Sequence, residues 1–319
     1  MSTPFQQGTD TPSGVYRDHD IWPVFTQAGY ESKLFSLIEK RKVASGNSVT
    51  IPSVLELTQP SSLVLAEDQP IPLSKLSITS KAINVSERGR AISVTHLAQQ
   101  RAPKAVDVLG ACKDQLAKLI SRDLEAVSAT ALKTGLIKYV PTGLASQTIT
   151  TNGTAGAAAS ANINIYHLKY LSNYMQDTLR VPMHRSYNGY VGVFRGNALM
   201  SVQMDPEFLQ INQGIPSAFN SLKVGRIADI MLFPINDGNV LDNGLGADND
   251  VSEGIVMGDE ACVFGMIDEF KIVYDLSATK ATDFGRFKYV AYRGDFGAGL
   301  FNDSANAGLA RSVHITSNT

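Results

Sequence analysis

Cysteine is nearly absent from this chain of 319 residues, and the two present, Cys112 and Cys262, stand far apart and outside any C-x-x-C spacing. That excludes a disulfide framework or a cysteine zinc site as the organising feature, and it fits buried thiols in a reducing compartment. Long apolar runs are lacking too. No stretch reaches the roughly 20 apolar residues of a membrane helix, so no membrane partner is expected. Charged residues make up only 18% of the chain and leave a formal net charge of −2, which removes the electrostatic motive for seeking nucleic acid or an anionic membrane. The N-terminus, Met1-Ser2-Thr3-Pro4-Phe5-Gln6-Gln7-Gly8, has no charged segment followed by an apolar one, so no secretion signal is expected.

Signatures of catalysis are missing as well. No G-x-S-x-G, H-E-x-x-H, G-x-x-x-x-G-K-[ST] or intact G-x-G-x-x-G occurs. Gly294-Asp295-Phe296-Gly297-Ala298-Gly299 has its glycines in the wrong order for a phosphate loop and reads as a turn. Asp248-Asn249-Asp250 resembles the start of a calcium loop, but Glu253 stands where that loop needs glycine, so a solvated acidic loop is expected. The five histidines, His19, His96, His167, His184 and His314, show no metal-ligand spacing and read as surface or satisfied polar residues. Catalytic residues, metal and cofactor are therefore all expected to be none. The one remaining route to a soluble enzyme is an active site assembled from residues distant in sequence.

What is present is enough apolar residue, 44% of the chain, to bury the core of one large domain or of two lobes that fold together. Residues 1–30 mix Gly, Pro, Thr and Asp with scattered aromatics and read as an extended arm. A short helix is predicted over 29–42, with Leu34, Phe35 and Ile38 on its apolar face and Lys40-Arg41-Lys42 in its last turn. From Ser48 to Thr95 the texture is β-branched and interrupted by Pro60, Pro70 and Pro72, as in a long edge hairpin followed by a return strand. Pro103 opens the strongest helical signal, with Val106, Leu109, Cys112, Leu116, Leu119, Ile120, Leu124 and Val127 at three- and four-residue steps and Lys133 and Gly135 at the end. Such a helix would run about 45 Å. The small, polar stretch 145–162 reads as a loop, and a second helix carries Ile165, Leu168, Leu171, Met175 and Leu179 on one face. Strand-like runs follow at 190–194, 228–233, 254–257, 270–274 and 287–292. Irregular interleaving of strands with few helices gives an α+β class.

Charge is unevenly spread. Residues 205–283 hold 14 acidic against 4 basic residues, a net −10, so the remainder is net +8. An acidic lobe beside a mildly basic one is expected.

The order of parts, arm then edge hairpin then very long helix then mixed lobe with late strands, resembles the Hong Kong 97-like capsid fold of tailed phages. Within it, Ser86-Glu87-Arg88-Gly89-Arg90-Ala91-Ile92-Ser93-Val94-Thr95, Tyr187-Asn188-Gly189-Tyr190-Val191-Gly192-Val193-Phe194 with Met204-Asp205-Pro206-Glu207-Phe208, and Phe287-Lys288-Tyr289-Val290-Ala291-Tyr292-Arg293-Gly294-Asp295-Phe296-Gly297 are similar to core segments of the phage N4-type major capsid protein family. The resemblance implies an N-terminal arm at 1–30, a short helix and connection at 31–47, an extended loop and return strand at 48–95, and a spine helix with the first part of a peripheral domain at 96–160. An axial domain at 161–278 and closing peripheral strands at 279–319 complete it. It implies a major capsid protein that is made in the bacterial host cytoplasm, resides in the virion, and assembles with itself into pentamers and hexamers of an icosahedral shell around double-stranded DNA. Portal, a separate scaffolding protein and a cement protein are further partners under it, with weak, non-specific contact to the packaged DNA. Leu63, Val64, Leu65, Ile71 and Leu73 at the hairpin end would be buried on a neighbouring subunit, and Asp242, Asp248 and Asp250 would form an acidic axial loop near the capsomer centre. An encapsulin-type protein compartment shares the fold and is the alternative within self-assembly.

Overall fold

The computed structural model describes residues 34–42, 48–54, 78–101, 108–156, 158–208, 225–242, 251–276, 282–300 and 310–318. The arm, the hairpin end, the start of the long helix before Val108 and Asp248-Asn249-Asp250 lie outside them. Among the described residues, three sheets and one long helix carry the fold.

The long helix, α3 (Val108–Lys133), follows two short ones, α1 (Leu34–Leu37) and α2 (His96–Arg101). Its 26 described residues span about 39 Å. On one flank lies a four-stranded sheet in the order β1 (Glu39–Lys42), β11 (Cys262–Asp275), β12 (Phe287–Leu300), β4 (Ser86–Thr95). On the other lies a seven-stranded sheet in the order β6 (Ser146–Thr150), β5 (Ile137–Gly143), β13 (Ser312–Asn318), β10 (Val251–Met257), β7 (Tyr190–Arg195), β9 (Ile230–Ile235), β8 (Arg226–Ile227). A two-stranded ribbon, β2 (Ser48–Val54) against β3 (Ile78–Asn84), makes the third.

Alternation explains how β7 holds the middle. Tyr190 and Phe194 point into a core under helices α4 (Ile165–Asn173) and α5 (Gly196–Gln203), whereas Val191 and Val193 point into a second core shared with α3 and β11. A strand covered on both faces reads as a continuous apolar run, which is why Tyr190-Val191-Gly192-Val193-Phe194 lacks polar residues. The second core joins Leu124 and Leu132 of α3 to Ile255 of β10 and to Phe264 and Phe296 of the other sheet, so the helix packs between the two sheets. Ile165, Leu168, Leu171, Met175 and Leu179, expected on one helical face, are all buried, and the helix ends in a π-helical turn at Tyr174–Thr178.

Several expectations change. Lys40-Arg41-Lys42 is not a last helical turn but part of β1, which pairs parallel with β11, Lys40 opposite Phe264. Ser146–Thr150 is a strand, not a loop: it pairs with β5 at the edge of the sheet as described, a place that asks for β-branched residues and little bulk. The run from Gly294 to Gly299 is not a turn but the second half of β12. The acidic stretch 205–283 is no lobe, since β9 and β10 belong to the seven-stranded sheet and β11 to the four-stranded one. Strands β5, β6 and β13 lie in the seven-stranded sheet with β10.

Candidate functional site

The ribbon is a two-stranded sheet separate from the other two, and its base shows how it is held. Strand β3 leaves the ribbon at Val85 and continues as β4 at Ser86, so the ribbon crosses over β12 and β11 as it enters the four-stranded sheet. Val49, Ile83 and Val85 bury there against Val263, with Ile267 alongside. The seat is a square of cross-strand neighbours, Val263 opposite Gly299 and Gly265 opposite Gly297. Its glycines permit the approach. A Cβ on Gly297 would stand 2.1 Å from the Asn84 carbonyl oxygen, and one on Gly299 would stand 2.9 Å from Ile83 Cγ1. Burial then fades along the ribbon: Val49 and Ile83 are 2% and 3% exposed, whereas Ile78 at the far end of β3 is 63% exposed. A ribbon stable only at its root must find its remaining burial elsewhere.

Beside the seat, a groove of about 940 Å³ runs between the ribbon root, β4, β12 and the Ala126-to-Thr134 side of α3. Arg90 and Tyr292 close one flank of it through Asp123, with Arg90 Nε 3.1 Å from Asp123 Oδ2 and the Tyr292 hydroxyl donating to the same carboxylate. Burial, then the Asp123 charge and hydrogen bond, push the Tyr292 phenol up to about 12, so it stays a donor at any physiological pH.

Glu253, which in sequence only marked the break in a calcium-loop pattern, is buried at the junction of α3 with the seven-stranded sheet. Its carboxylate pairs with Lys133, accepts from the Asp242 backbone N–H at 2.8 Å and faces His314 Nε2 at 3.1 Å. Burial alone would raise this carboxyl, but the hydrogen bonds from His314, Asp242 and Lys133 outweigh it and hold it at about 2. Burial holds the His314 imidazole low. Its Nδ1 sits 3.4 Å from Lys138 Nζ, which also donates to the Lys133 carbonyl at the end of α3. Neutral His314 fits this network as acceptor at Nδ1 and donor at Nε2. His167 is likewise a satisfied core residue, between the Tyr139 hydroxyl at 2.7 Å and the Gly143 carbonyl at 3.0 Å.

Of the hairpin-end and acidic-loop residues expected at subunit contacts, Asp242 alone is among the described residues, on the loop pinned to β10 by Glu253. Leu63, Val64, Leu65, Ile71, Leu73, Asp248 and Asp250 lie outside the described residues. The glycine seat was missed, although Gly297 and Gly299, two apart in a strand, mark one bare face. Among the described residues no group of three or more His, Cys, Asp or Glu is placed to hold a metal ion, and no helix is long and apolar enough to cross a membrane.

The sequence matches no family model and no curated protein. Solved structures do match, over the whole chain. The acidic stable capsid of Helicobacter pylori bacteriophage KHP30 superposes with a TM-score of 0.65 at 12% identity, covering 100% of this chain and 96% of that one. The capsid of Ralstonia phage GP4 gives 0.64 at 14% identity, with 100% and 98% covered. The cyanophage Pam1 capsid gives 0.62 at 14% identity, with 99% of each chain covered. The chain therefore has the fold of phage capsid proteins.

Proposed function

We propose that this chain is the major capsid protein of a tailed bacteriophage, with the Hong Kong 97-like fold and N4-type organisation, and that its work is contact with copies of itself. The observation that carries this is the likeness to phage capsid chains over 99–100% of this chain. In this reading the ribbon is the extended loop, α3 is the spine, the four-stranded sheet is the peripheral domain and the seven-stranded sheet is the axial domain. The apolar residues 63–65, 71 and 73 are buried on a neighbouring subunit. Shell strength then comes from area buried in many repeated contacts rather than from one site. A separate scaffold, a portal and a cement protein complete the particle, and packaged DNA is touched weakly and without sequence preference.

The test is the protein purified alone and after co-expression with its scaffolding protein. Negative-stain images and sedimentation should show closed particles of uniform size, with pentamers and hexamers as their building units. A protein that stops at a monomer or small oligomer under all assembly conditions refutes the reading and returns the soluble enzyme to consideration.

A further inference from the structure

We propose that Asn188-Gly189, at the entry to β7, is a site of self-modification, where the chain's own backbone nitrogen converts the asparagine into aspartyl and isoaspartyl forms. The inference stands apart from the shell reading and needs only the folded subunit. Asn-Gly pairs begin at residues 152, 188 and 243. The last lies outside the described residues, and the fold treats the other two oppositely. At 188 the fold itself asks for the pair. A Cβ at position 189 would stand 2.5 Å from the Asp229 carbonyl oxygen, a backbone atom, so only glycine fits. Asn188 holds φ of 47°, a left-handed conformation that asparagine tolerates better than most side chains do.

A glycine after an asparagine leaves the approach to the asparagine side chain open. The Gly189 nitrogen gives its proton to water and attacks Cγ of Asn188. A new N–Cγ bond forms, the side-chain amide C–N bond breaks, and ammonia leaves, taking a proton back from water. The product is a cyclic imide. A second water then opens the ring at either carbonyl: one opening restores the main chain with an aspartate, and the other routes the main chain through the side chain as isoaspartate. Nothing is oxidised or reduced.

Two features favour the step at 188. The first is the attacking N–H. Gly189 is bridged to His184 through its carbonyl, which accepts from the His184 N–H at 2.8 Å, while the His184 carbonyl accepts from Tyr187 and Asn188 at 3.2 and 3.0 Å. Among the described residues the Gly189 N–H donates no well-formed hydrogen bond of its own. The second is the carbonyl of the same peptide group, Asn188 O, which accepts from Arg226 Nη2 at 2.9 Å. Loss of the Gly189 proton moves negative charge onto that oxygen, where a guanidinium stabilises it. Asp229 shares the guanidinium, Oδ1 at 2.6 Å, and offsets part of its charge. At Asn152-Gly153 the reacting groups are occupied instead. The Gly153 N–H donates to the Leu136 carbonyl at 2.8 Å, and Asn152 Oδ1 accepts from the Thr154 N–H at 3.0 Å. Isoaspartate at 188 adds a main-chain carbon just before Tyr190, whose N–H donates to the Asp229 carbonyl at 2.8 Å. The modification therefore marks aged molecules at the entry to a strand that serves both large cores.

The test is peptide mapping by mass spectrometry of the full chain, stored at neutral pH either folded or in denaturant. In the folded protein Asn188 should deamidate about tenfold faster than Asn152, the factor that one charge-assisted hydrogen bond can carry. In denaturant the two rates should converge. Equal rates in the folded protein, or a faster Asn152, overturn the proposal. Aspartyl and isoaspartyl peptides should both appear, because direct hydrolysis of the side chain gives aspartate alone; aspartate alone overturns the ring-closing step. Arg226→Gln should slow Asn188 several-fold and leave Asn152 unchanged, while Arg226→Lys, which keeps the charge, should retain most of the rate. An unchanged or faster Asn188 in Arg226→Gln overturns the role given to the guanidinium.

Discussion

Glu253 shows how one residue can bind two halves of a molecule. It is 5% exposed and set between Lys133 of α3 and His314 of β13. Removing its charge leaves Lys133 and Lys138 beside a buried site with no counter-charge. Glu253→Gln should therefore destabilise the subunit by about 3–5 kcal/mol in denaturant unfolding. The pH profile carries a second signature. A carboxyl held at about 2 contributes stability that is complete above its ordinary range and is lost as pH falls from about 4.5 toward 2. His314, lowered by burial, acts in the same direction from about pH 6.5 downward, since the unfolded chain takes up its proton first. Wild-type stability should fall on acidification through both ranges, and Glu253→Gln should flatten the lower one. A variant that keeps the wild-type slope below pH 4.5 would show that Glu253 is not its source. The cysteines belong to the opposite case. Burial pushes the Cys262 thiol up to about 12, and Cys112 sits half-buried on α3. Replacing both with Ala should leave assembly and its insensitivity to reductant unchanged; particles that fall apart in reductant only when the cysteines are present would reveal a missed cross-link.

At the scale of elements, α3 and the ribbon have different sources of stability. The helix has its own apolar stripe and two cores to bury it in, so its position was legible from periodicity alone. Strands β2 and β3 were legible as a hairpin for the same reason, but the place where they attach was not. That place depends on what Gly265, Gly297 and Gly299 lack, and a missing side chain has no period. Gly297→Ala sets a Cβ against the Asn84 carbonyl, a backbone atom that cannot turn away. It should cost about 1–3 kcal/mol, as overpacking does, and the loss should concentrate in the ribbon. Amide exchange should speed up in 48–54 and 78–84 and stay unchanged in β7 and β10. Uniform acceleration across both sheets would mean that the seat is part of the global core instead.

For the whole molecule, function is expected where the chain is least self-sufficient. Shortening residues 60–74 to an Asn-Gly turn should leave thermal unfolding and circular dichroism nearly unchanged, because the long helix and the seven-stranded sheet keep the cores built from their own residues. Sedimentation should shift from very large particles to monomers or single capsomers. Closed shells from the shortened chain would remove the extended-loop assignment, and loss of the fold would place the hairpin in the core.

Local pattern by itself determined the elements whose information is contained within a few residues: the stripe of α3, the two-sided apolar run of β7, the ribbon strands and the buried face of α4. The sequence also carries none of the four catalytic and phosphate-binding motifs named above. Only the tertiary structure decided which strands share a sheet. Lys40 pairs beside Phe264 and His314 beside Lys138, across separations that periodicity does not reach. For that reason the charge split of 205–283 became two sheets rather than a lobe, a polar stretch became edge strand β6, and a glycine-rich turn became the floor under the ribbon. A side chain's own pattern states which face it prefers; what lies against that face is set by partners elsewhere in the chain, and for a shell, by other copies.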